Sequence, residues 1–347
     1  MAIILTLFVG FLSGVLLYRL RVPGGMMIGA IAGTLLLSFC FHAAEMPYQA
    51  KVTAQILTGS FIGCSVGKRD IPMLKNAWKP ALTVILAFLV VNVILGFSLA
   101  ALGYMDLLTA LLSSIAGGMS EVTLAASDMH ADTAYVTVLQ FVRMCFGLAV
   151  FPSWIAWLDR GSDLTADEER SAPDSAPATM TPIPALLVFF VWTTICGLIG
   201  RKTGIPSGVL LFSILGALAV NMIFPMKLPA ITRRVAQLLS GTYIGCSIPY
   251  DSLYGFYLLA VPAIVIVLAF MFNAYVTGHL IHRKFDVPIR EAMLMATPAG
   301  SNDIILISAD IGIQSTTLVA VHILRVLASA AIMPQIDYLI YRFAGSF

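Results

Sequence analysis

The apolar positions of this chain fall into twelve stretches separated by short runs of polar or turn-forming residues. A helix needs about 20 apolar residues to cross the hydrocarbon core of a bilayer. Backbone groups inside a bilayer must be satisfied within the chain, so such stretches form helices. The pattern therefore predicts an all-α polytopic membrane protein. Its apolar segments lie at 3–18, 24–42, 52–67, 80–103, 107–129, 133–158, 183–200, 206–225, 235–249, 255–281, 292–310 and 314–340.

The second half of the chain repeats the first at an offset of 182 residues. AGGMSE at 116–121 is answered by PAGSND at 298–303, and GSFIGCSV at 59–66 is answered by GTYIGCSI at 241–248. The same offset relates two pairs of charged residues, Asp128 with Asp310 and Arg143 with Arg325. Agreement at several separate places indicates a tandem duplication with six segments in each copy.

The two copies are joined by a polar stretch that is rich in acids, Pro, Ser and Ala and has no apolar period. Such a composition is typical of a solvated linker. The predicted organisation is a first membrane repeat over 1–158, a linker over 159–181 and a second membrane repeat over 182–347.

Composition supports the membrane interpretation and narrows the function. Of all residues 59% are apolar and 11% are charged, whereas a soluble domain has about a quarter of its residues charged. A net charge of +2 gives no case for nucleic-acid binding. The five cysteines lie in apolar segments without a CxxC pair, and the five histidines form no HExxH motif. We therefore expect no transition-metal site and no enzyme.

A glycine-containing break interrupts the same segment in each copy, at Gly117-Gly118 and at Ala299-Gly300. Broken backbone at membrane depth is tolerated where it lines a cavity or is buried in protein. Basic residues mark different loops in the two copies, which predicts that the copies lie in opposite orientations if all these loops are cytoplasmic. Inversion requires an odd number of crossings. We therefore expect five spans and one re-entrant broken segment per repeat; a broken segment that crosses is the alternative.

The breaks, here called tip 1 (116–121) and tip 2 (298–303), carry the candidate site. Their hydroxyl, amide and carboxylate oxygens are hard ligands that suit Na⁺ or H⁺ better than a soft metal. Arg143 and Arg325 could bind an anionic solute or could neutralise a buried acid, whereas Asp128, Asp132 and Asp310 are interpreted as helix caps near the surface. The GCS motifs at 64 and 246 are interpreted as tight packing. The candidate residues are Gly117, Gly118, Ser120, Glu121, Gly300, Ser301, Asn302, Asp303, Gln140, Arg143, His322 and Arg325.

The motifs RLRVPGG, AGGMSEVTLAASDMHAD and VLQFVRM, with their second-copy counterparts GIPSG, PAGSNDIILISADIG and VHILRVL, resemble the duplicated membrane AbrB family. That family is also catalogued under an ammonia monooxygenase label and as a regulator of a DNA-repair gene. Its pattern is a Pro-Gly-Gly tip, an acid and a later Gln-x-x-Arg. Here Ala116 replaces the Pro, Ala299 replaces the first Gly and His322 replaces the Gln. The resemblance implies a shared membrane fold.

Inverted repeats whose broken segments meet near the membrane midplane are typical of secondary transporters. We expect an ion- or proton-coupled transporter of a small, anionic or other organic solute in a bacterial inner membrane. The alternative is a membrane solute sensor without net transport. The expected partners are the solute and the lipid bilayer. Assembly into a homo-oligomer is compatible with the sequence, and no cofactor other than Na⁺ or H⁺ is expected.

Overall fold

The computed structural model describes residues 2–20, 22, 24–41, 44–150, 154, 183–226, 228–248, 258–298 and 315–344. Within these residues the chain forms fourteen α-helices and no strand. The helices are α1 (Ala2–Arg19), α2 (Gly25–Phe41), α3 (Tyr48–Gly63), α4 (Ile71–Ala101), α5 (Leu107–Ser113), α6 (Met119–Asp128), α7 (Thr133–Ala149), α8 (Ile183–Lys202), α9 (Gly208–Ile223), α10 (Ala230–Ser247), α11 (Ala260–Phe285), α12 (Ile289–Met295), α13 (Thr316–Ala331) and α14 (Met333–Ala344).

Five helical stretches of the described chain are long and apolar enough to cross a membrane: α1, α4, α8, α11 and the continuous stretch formed by α13 and α14. Large apolar side chains on the outside of these helices are exposed, among them Phe8, Leu86, Val188 and Phe272. Water would oppose such exposure over a contiguous surface, whereas lipid accommodates it. The protein is therefore a helical membrane protein.

The start of α4 differs from the sequence-based expectation. The fourth segment was expected to begin at Pro80, but α4 begins at Ile71 and Pro80 lies inside the helix. Pro72 occupies the first turn, where a missing backbone N–H removes no intrahelical bond. Both prolines are therefore helical, and Pro72 marks the start.

The helices form two packing groups. In the first, α1 lies against α2, and α8 lies against α9. The second group contains α4 to α7 and α11 to α14, whose side chains form the largest buried apolar cluster, including Phe88, Leu139 and Phe270. Helices α3 and α10 stand between the groups, because each contacts both α6 and a helix of the first group.

Each repeat packs against the other through its glycine-rich third helix. A Cβ atom added at Gly59 of α3 would lie 2.7 Å from the side chain of Ser213 on α9. At Gly241 of α10 it would lie 2.5 Å from the backbone oxygen of Met27 on α2. Only a residue without Cβ allows this approach. The prediction that the GSFIGCSV and GTYIGCSI motifs serve packing is confirmed.

Helices α3 and α10 run antiparallel and contact each other in a locally two-fold manner. The ammonium of Lys51, early in α3, lies 5.6 Å from the ring centroid of Tyr243, late in α10. The guanidinium carbon of Arg233, early in α10, lies 5.9 Å from the ring centroid of Phe61, late in α3. Lys51 and Arg233 are separated by 182 residues, and so are Phe61 and Tyr243. Equivalent residues of the two repeats therefore form reciprocal contacts between α3 and α10.

Candidate functional site

The first broken segment is a hairpin whose two arms, α5 and α6, return to the same end of α7. The backbone N–H of Asp132, beside the start of α7, donates to the Thr109 hydroxyl of α5 at 3.0 Å. The hydroxyls of Thr137 on α7 and Thr123 on α6 lie 3.5 Å apart. Farther along α7, the Gln140 amide donates to the carbonyl of Ile115 in the turn at 3.0 Å. Helix α5 therefore runs parallel to α7 and α6 runs antiparallel to it, so this segment folds back on itself as a hairpin.

Local sequence explains where the hairpin arms start. Asp106 caps α5 by accepting from the N–H of Thr109 at 3.0 Å. Asp132 caps α7 by accepting from the N–H groups of Ala134 and Tyr135, so its prediction as a cap is confirmed. Gly118 is the extended residue before α6. Polar caps satisfy backbone donors that the arms leave free at these ends.

In the second repeat, α12 and α13 repeat the relationship of α5 and α7. Ser315, at the start of α13, donates to the carboxylate of Glu291 on α12. These positions are equivalent to Thr133 and Thr109 of the first repeat. Five of the predicted positions lie outside the described residues, namely Gly300, Ser301, Asn302, Asp303 and Asp310.

Arg143 joins the two tips. One terminal nitrogen of its guanidinium donates to the carbonyl of Pro298 in tip 2 at 2.7 Å, and the other donates to the carbonyl of Gly117 in tip 1 at 2.6 Å. The second nitrogen also donates to the Gln140 side chain at 2.8 Å. Arg143 is only 3% exposed. Gly117 of tip 1 and Pro298, the first residue of tip 2, are therefore held together by one guanidinium group.

Gln140 positions this arginine and the turn together. Its amide nitrogen donates to the carbonyls of Leu112, Ser113 and Ile115, where α5 ends, while its amide oxygen accepts from Arg143. The last carbonyls of a helix have no partner within the helix. Gln140 satisfies three carbonyls at this end and fixes the guanidinium beside them.

Arg325 and His322 occupy the equivalent positions in the second repeat, and both are buried. The guanidinium of Arg325 donates to the carbonyl of Thr297 just before tip 2, and its central carbon lies 5.5 Å from the ring centroid of Phe88. His322 adjoins the backbone of Leu294 at the end of α12. The second arginine is thus also directed at a tip.

Glu121 lies in the first turn of α6, and its carboxylate folds back over Gly118. A Cβ atom added at Gly118 would lie 2.6 Å from the carboxyl carbon of Glu121. Glu121 is half-buried. The adjacent Ser120 hydroxyl is buried and directed at the sulfur of Met27, 3.2 Å away.

Asp128 was expected to be a surface cap, and that expectation is wrong. Its carboxylate forms an ion pair with Lys51 of α3 at 2.7 Å and accepts from the amide of Gln55 at 2.5 Å. The side chain of Asp128 is 14% exposed and that of Lys51 is 4% exposed. The partners lie on a different helix, so the local pattern around Asp128 gives no sign of them.

One pattern in the sequence indicates Lys51 and Gln55, which are not among the candidate residues predicted from it. Lys51 and Gln55 are four residues apart and share a helix face, and the 182-residue offset pairs them with Arg233 and Gln237. In the first copy this basic residue and Gln lie on the face of α3 that contacts the hairpin arm α6. Among the described residues, no group of three or more His, Cys, Asp or Glu could hold a metal ion.

Comparisons with known proteins agree with the resemblance noted in the sequence. A family model described as "Transition state regulatory protein AbrB" matches residues 1–159 and residues 162–341. "Uncharacterized protein YhjN" of Bacillus subtilis (strain 168) is 21% identical, covering 92% of this chain and 89% of that protein. "Putative regulator AbrB" of Escherichia coli (strain K12) is 22% identical, covering 98% of this chain and 95% of that protein.

Proposed function

This chain belongs to the AbrB family, and from that membership and the meeting of the two tips we propose that it is a secondary transporter of a small organic solute. The observation that carries the proposal is the bridge from Arg143 to Gly117 of one tip and to Pro298 of the other. Two helix breaks that meet inside a membrane protein bring exposed backbone groups together at one place, which is how many transporters bind solute and ion.

We propose that the repeats are inverted in the membrane. The support is the antiparallel crossing of α3 and α10, whose end-to-end contacts relate Lys51 to Tyr243 and Arg233 to Phe61. Equivalent helices that run in opposite directions require a two-fold axis perpendicular to them. The hairpin formed by α5 and α6 begins and ends on the same side and adds no crossing. The first repeat then has an odd number of crossings, which inversion requires.

The distribution of charge supports an orientation. The Tyr18 hydroxyl accepts from Arg234 at 2.8 Å, so the end of α1 and the start of α10 lie at one end of the molecule. Arg201 lies over the ring of Tyr48, so the end of α8 and the start of α3 lie at the other. When the helices are traced from these contacts, most of the basic residues lie at the first end. They are Arg19, Lys68, Lys75, Lys79, Arg233, Arg234, Arg283, Lys284 and Arg290. Basic residues favour the cytoplasm. In this proposal the basic end and the linker over 159–181 are cytoplasmic, and the membrane is the bacterial inner membrane.

Coupling to Na⁺ or H⁺ is assigned to the tip acids, Glu121 and Asp303. An ionisable group inside a membrane protein is costly and is usually functional. Glu121 lies in the first turn of α6, which directly follows the extended Gly118. A carboxylate at a helix N-terminus beside a backbone break is a suitable ligand for a proton or a hard cation.

An anionic solute is favoured by the environment of Arg143. Its hydrogen bonds to described residues all go to neutral oxygens, those of Pro298, Gly117 and Gln140. Its Nε–H has no partner among the described residues. A buried guanidinium whose charge is not neutralised attracts a carboxylate or phosphate on the solute.

A solute sensor without transport is the second candidate, and it is favoured by the name of one relative, "Putative regulator AbrB". Both candidates bind solute at the tips. They differ in whether the bound solute is released on the opposite side of the membrane.

The experiment has two stages. Thermal unfolding of the purified protein is first measured against small organic anions, organic cations and neutral amino acids. Compounds that raise the melting temperature are then tested for flux into liposomes with and without a Na⁺ or pH gradient. Gradient-dependent flux supports the transporter. Stabilisation without flux in either direction identifies the sensor, and stabilisation only by cations overturns the anionic-solute assignment.

A further inference from the structure

Two charged residues that are equivalent in sequence have different environments in the structure. Lys51 and Arg233 lie 182 residues apart, in the first turns of α3 and α10. Lys51 is 3% exposed, whereas Arg233 is exposed. Gln55 and Gln237, one turn further along the two helices, differ in the same direction, since Gln55 is fully buried and Gln237 is partly exposed. The two-fold relationship between the repeats is therefore broken at these four positions.

At Lys51 the space between α3, α6 and α10 is closed. The ammonium of Lys51 pairs with Asp128 at 2.7 Å, and the rings of Tyr48 and Tyr243 lie 5.5 Å and 5.6 Å from it. The Gln55 amide donates to the same carboxylate. These contacts tie α3 to the base of the hairpin arm α6 and place two aromatic rings beside the charge. The ion pair is largely shielded from solvent.

Arg233, the equivalent residue of the second repeat, has a different environment. The guanidinium lies over Phe61 and remains exposed. Lys51 and Arg233 thus mark a covered end and an exposed end of the contact between α3 and α10.

We infer that the Lys51–Asp128 ion pair is the closed gate of the solute pathway, and that in this state the solute enters from the basic end of the molecule. The inference rests on the proposed transport function. In an inverted repeat, exchange of the two environments converts one access state into the other. Opening the gate would hydrate Lys51 and Asp128, while Arg233 would take the covered position that Lys51 has here. Because the two repeats share one framework, the two states can differ little in free energy.

The test compares the reactivity of two equivalent cysteines and needs no solute. The five native cysteines are replaced, and Gln55→Cys or Gln237→Cys is introduced singly. A membrane-impermeant maleimide is then applied to the purified protein in detergent. In the otherwise unchanged chain we expect Cys at 237 to react rapidly and Cys at 55 to react slowly.

Removing the acid of the gate should reverse this order. With Asp128→Asn, we expect labelling at 55 to accelerate about tenfold or more and labelling at 237 to slow, because the closed state has lost its ion pair and the population shifts. Lys51→Gln should act in the same way, which provides a second route if Asp128→Asn does not fold. All rates are compared within one cysteine background, since Gln55 itself contacts Asp128.

Two controls separate a gate from a general loosening of the fold. Lys51→Arg keeps the charge and should leave labelling at 55 slow. Asp286→Asn removes an exposed acid at the end of α11, where Asn suits the left-handed backbone, and should change neither rate. Folding of each variant is verified by its melting temperature and by a monodisperse elution profile.

The outcomes distinguish the gate from the transport function on which it rests. Slow labelling at 55 in a folded, transport-active Asp128→Asn variant would overturn the gate and leave transport intact. Parallel acceleration at 55 and 237 would also overturn it, because loosening raises both rates. Reversed labelling in a protein that shows no flux would support the conformational exchange and reject transport.

Discussion

The guanidinium of Arg143 donates to the carbonyl of Pro298 at 2.7 Å, although the two residues are 155 positions apart in the chain. The sequence offers two interpretations of this arginine, a solute clamp and a brace paired with acids of the opposite repeat. Its observed partners are backbone carbonyls of both tips. Among the described residues, Arg143 therefore braces backbone of the two repeats and has no acid as a partner.

Arg143→Lys is expected to destabilise the protein. The lysine side chain is shorter, and its ammonium cannot donate to the carbonyls of Pro298 and Gly117 together. Losing a hydrogen bond from a charged donor costs about 1.5–3 kcal/mol. Thermal unfolding should show a lower melting temperature, and Arg325→Lys should behave similarly. A variant of unchanged stability that binds the solute more weakly would instead identify Arg143 as a solute clamp alone.

Glu121→Gln is expected to abolish the dependence of uptake on the Na⁺ or pH gradient while leaving the protein folded. The substitution keeps side-chain volume and removes the charge that would bind a cation or a proton. Asp303→Asn should have the same effect. Uptake in liposomes is measured at several Na⁺ concentrations and pH values, with Asp286→Asn as the control. If both tip variants keep the dependence of the unchanged protein, coupling does not run through the tips.

Gly63→Val is expected to destabilise the contact between α3 and α9. A Cβ atom at Gly63 would lie 2.5 Å from the backbone oxygen of Ile214, which cannot move without displacing its helix. Overpacking of this kind costs about 1–3 kcal/mol. Gly67→Ala is the matched control, because the nearest atom to its added Cβ is 3.5 Å away. Equal melting temperatures for the two variants would contradict the packing role of the GSFIGCSV motif.

The buried hydrogen bond between Asn92 of α4 and Asp337 of α14 gives a prediction about paired substitutions. The Asn92 amide donates to the Asp337 carboxylate at 2.7 Å, and both residues are fully buried. Asn92→Leu removes the donor and leaves a buried carboxyl group without its described partner, at a cost of about 1–3 kcal/mol or more. Asn92→Leu combined with Asp337→Leu should recover much of that loss. Additive melting-temperature changes in the double-mutant cycle would show that the pair is not coupled.

A cysteine at Ser171 tests the proposed topology. In a background without the native cysteines, this linker position should be protected from an impermeant thiol reagent added to intact cells and labelled after the membrane is opened. A cysteine at Tyr48, at the end of the molecule proposed to face outward, serves as the accessible control. Labelling of Ser171→Cys from the periplasm would rule out the proposed orientation.

The sequence by itself determined the helical membrane class, because apolar segments must satisfy their backbone groups within the chain. It also located tip 1 at Gly117 and Gly118, which in the structure lie in the non-helical turn between α5 and α6. Both features depend on residues that are neighbours along the chain, so pattern and period were enough to find them.

Only the tertiary structure decided which side chains meet. Asp128 is the last residue of α6, where the sequence predicts a cap, yet its partners Lys51 and Gln55 come from α3. Arg143 lies in an apolar run, and nothing in that run indicates that its acceptors are the carbonyls of two different tips. The duplication makes Lys51 and Arg233 equivalent in sequence, but only packing buries one and exposes the other. Partner choice depends on how helices far apart in sequence are placed, and a buried charge takes whichever oxygen that placement brings within reach.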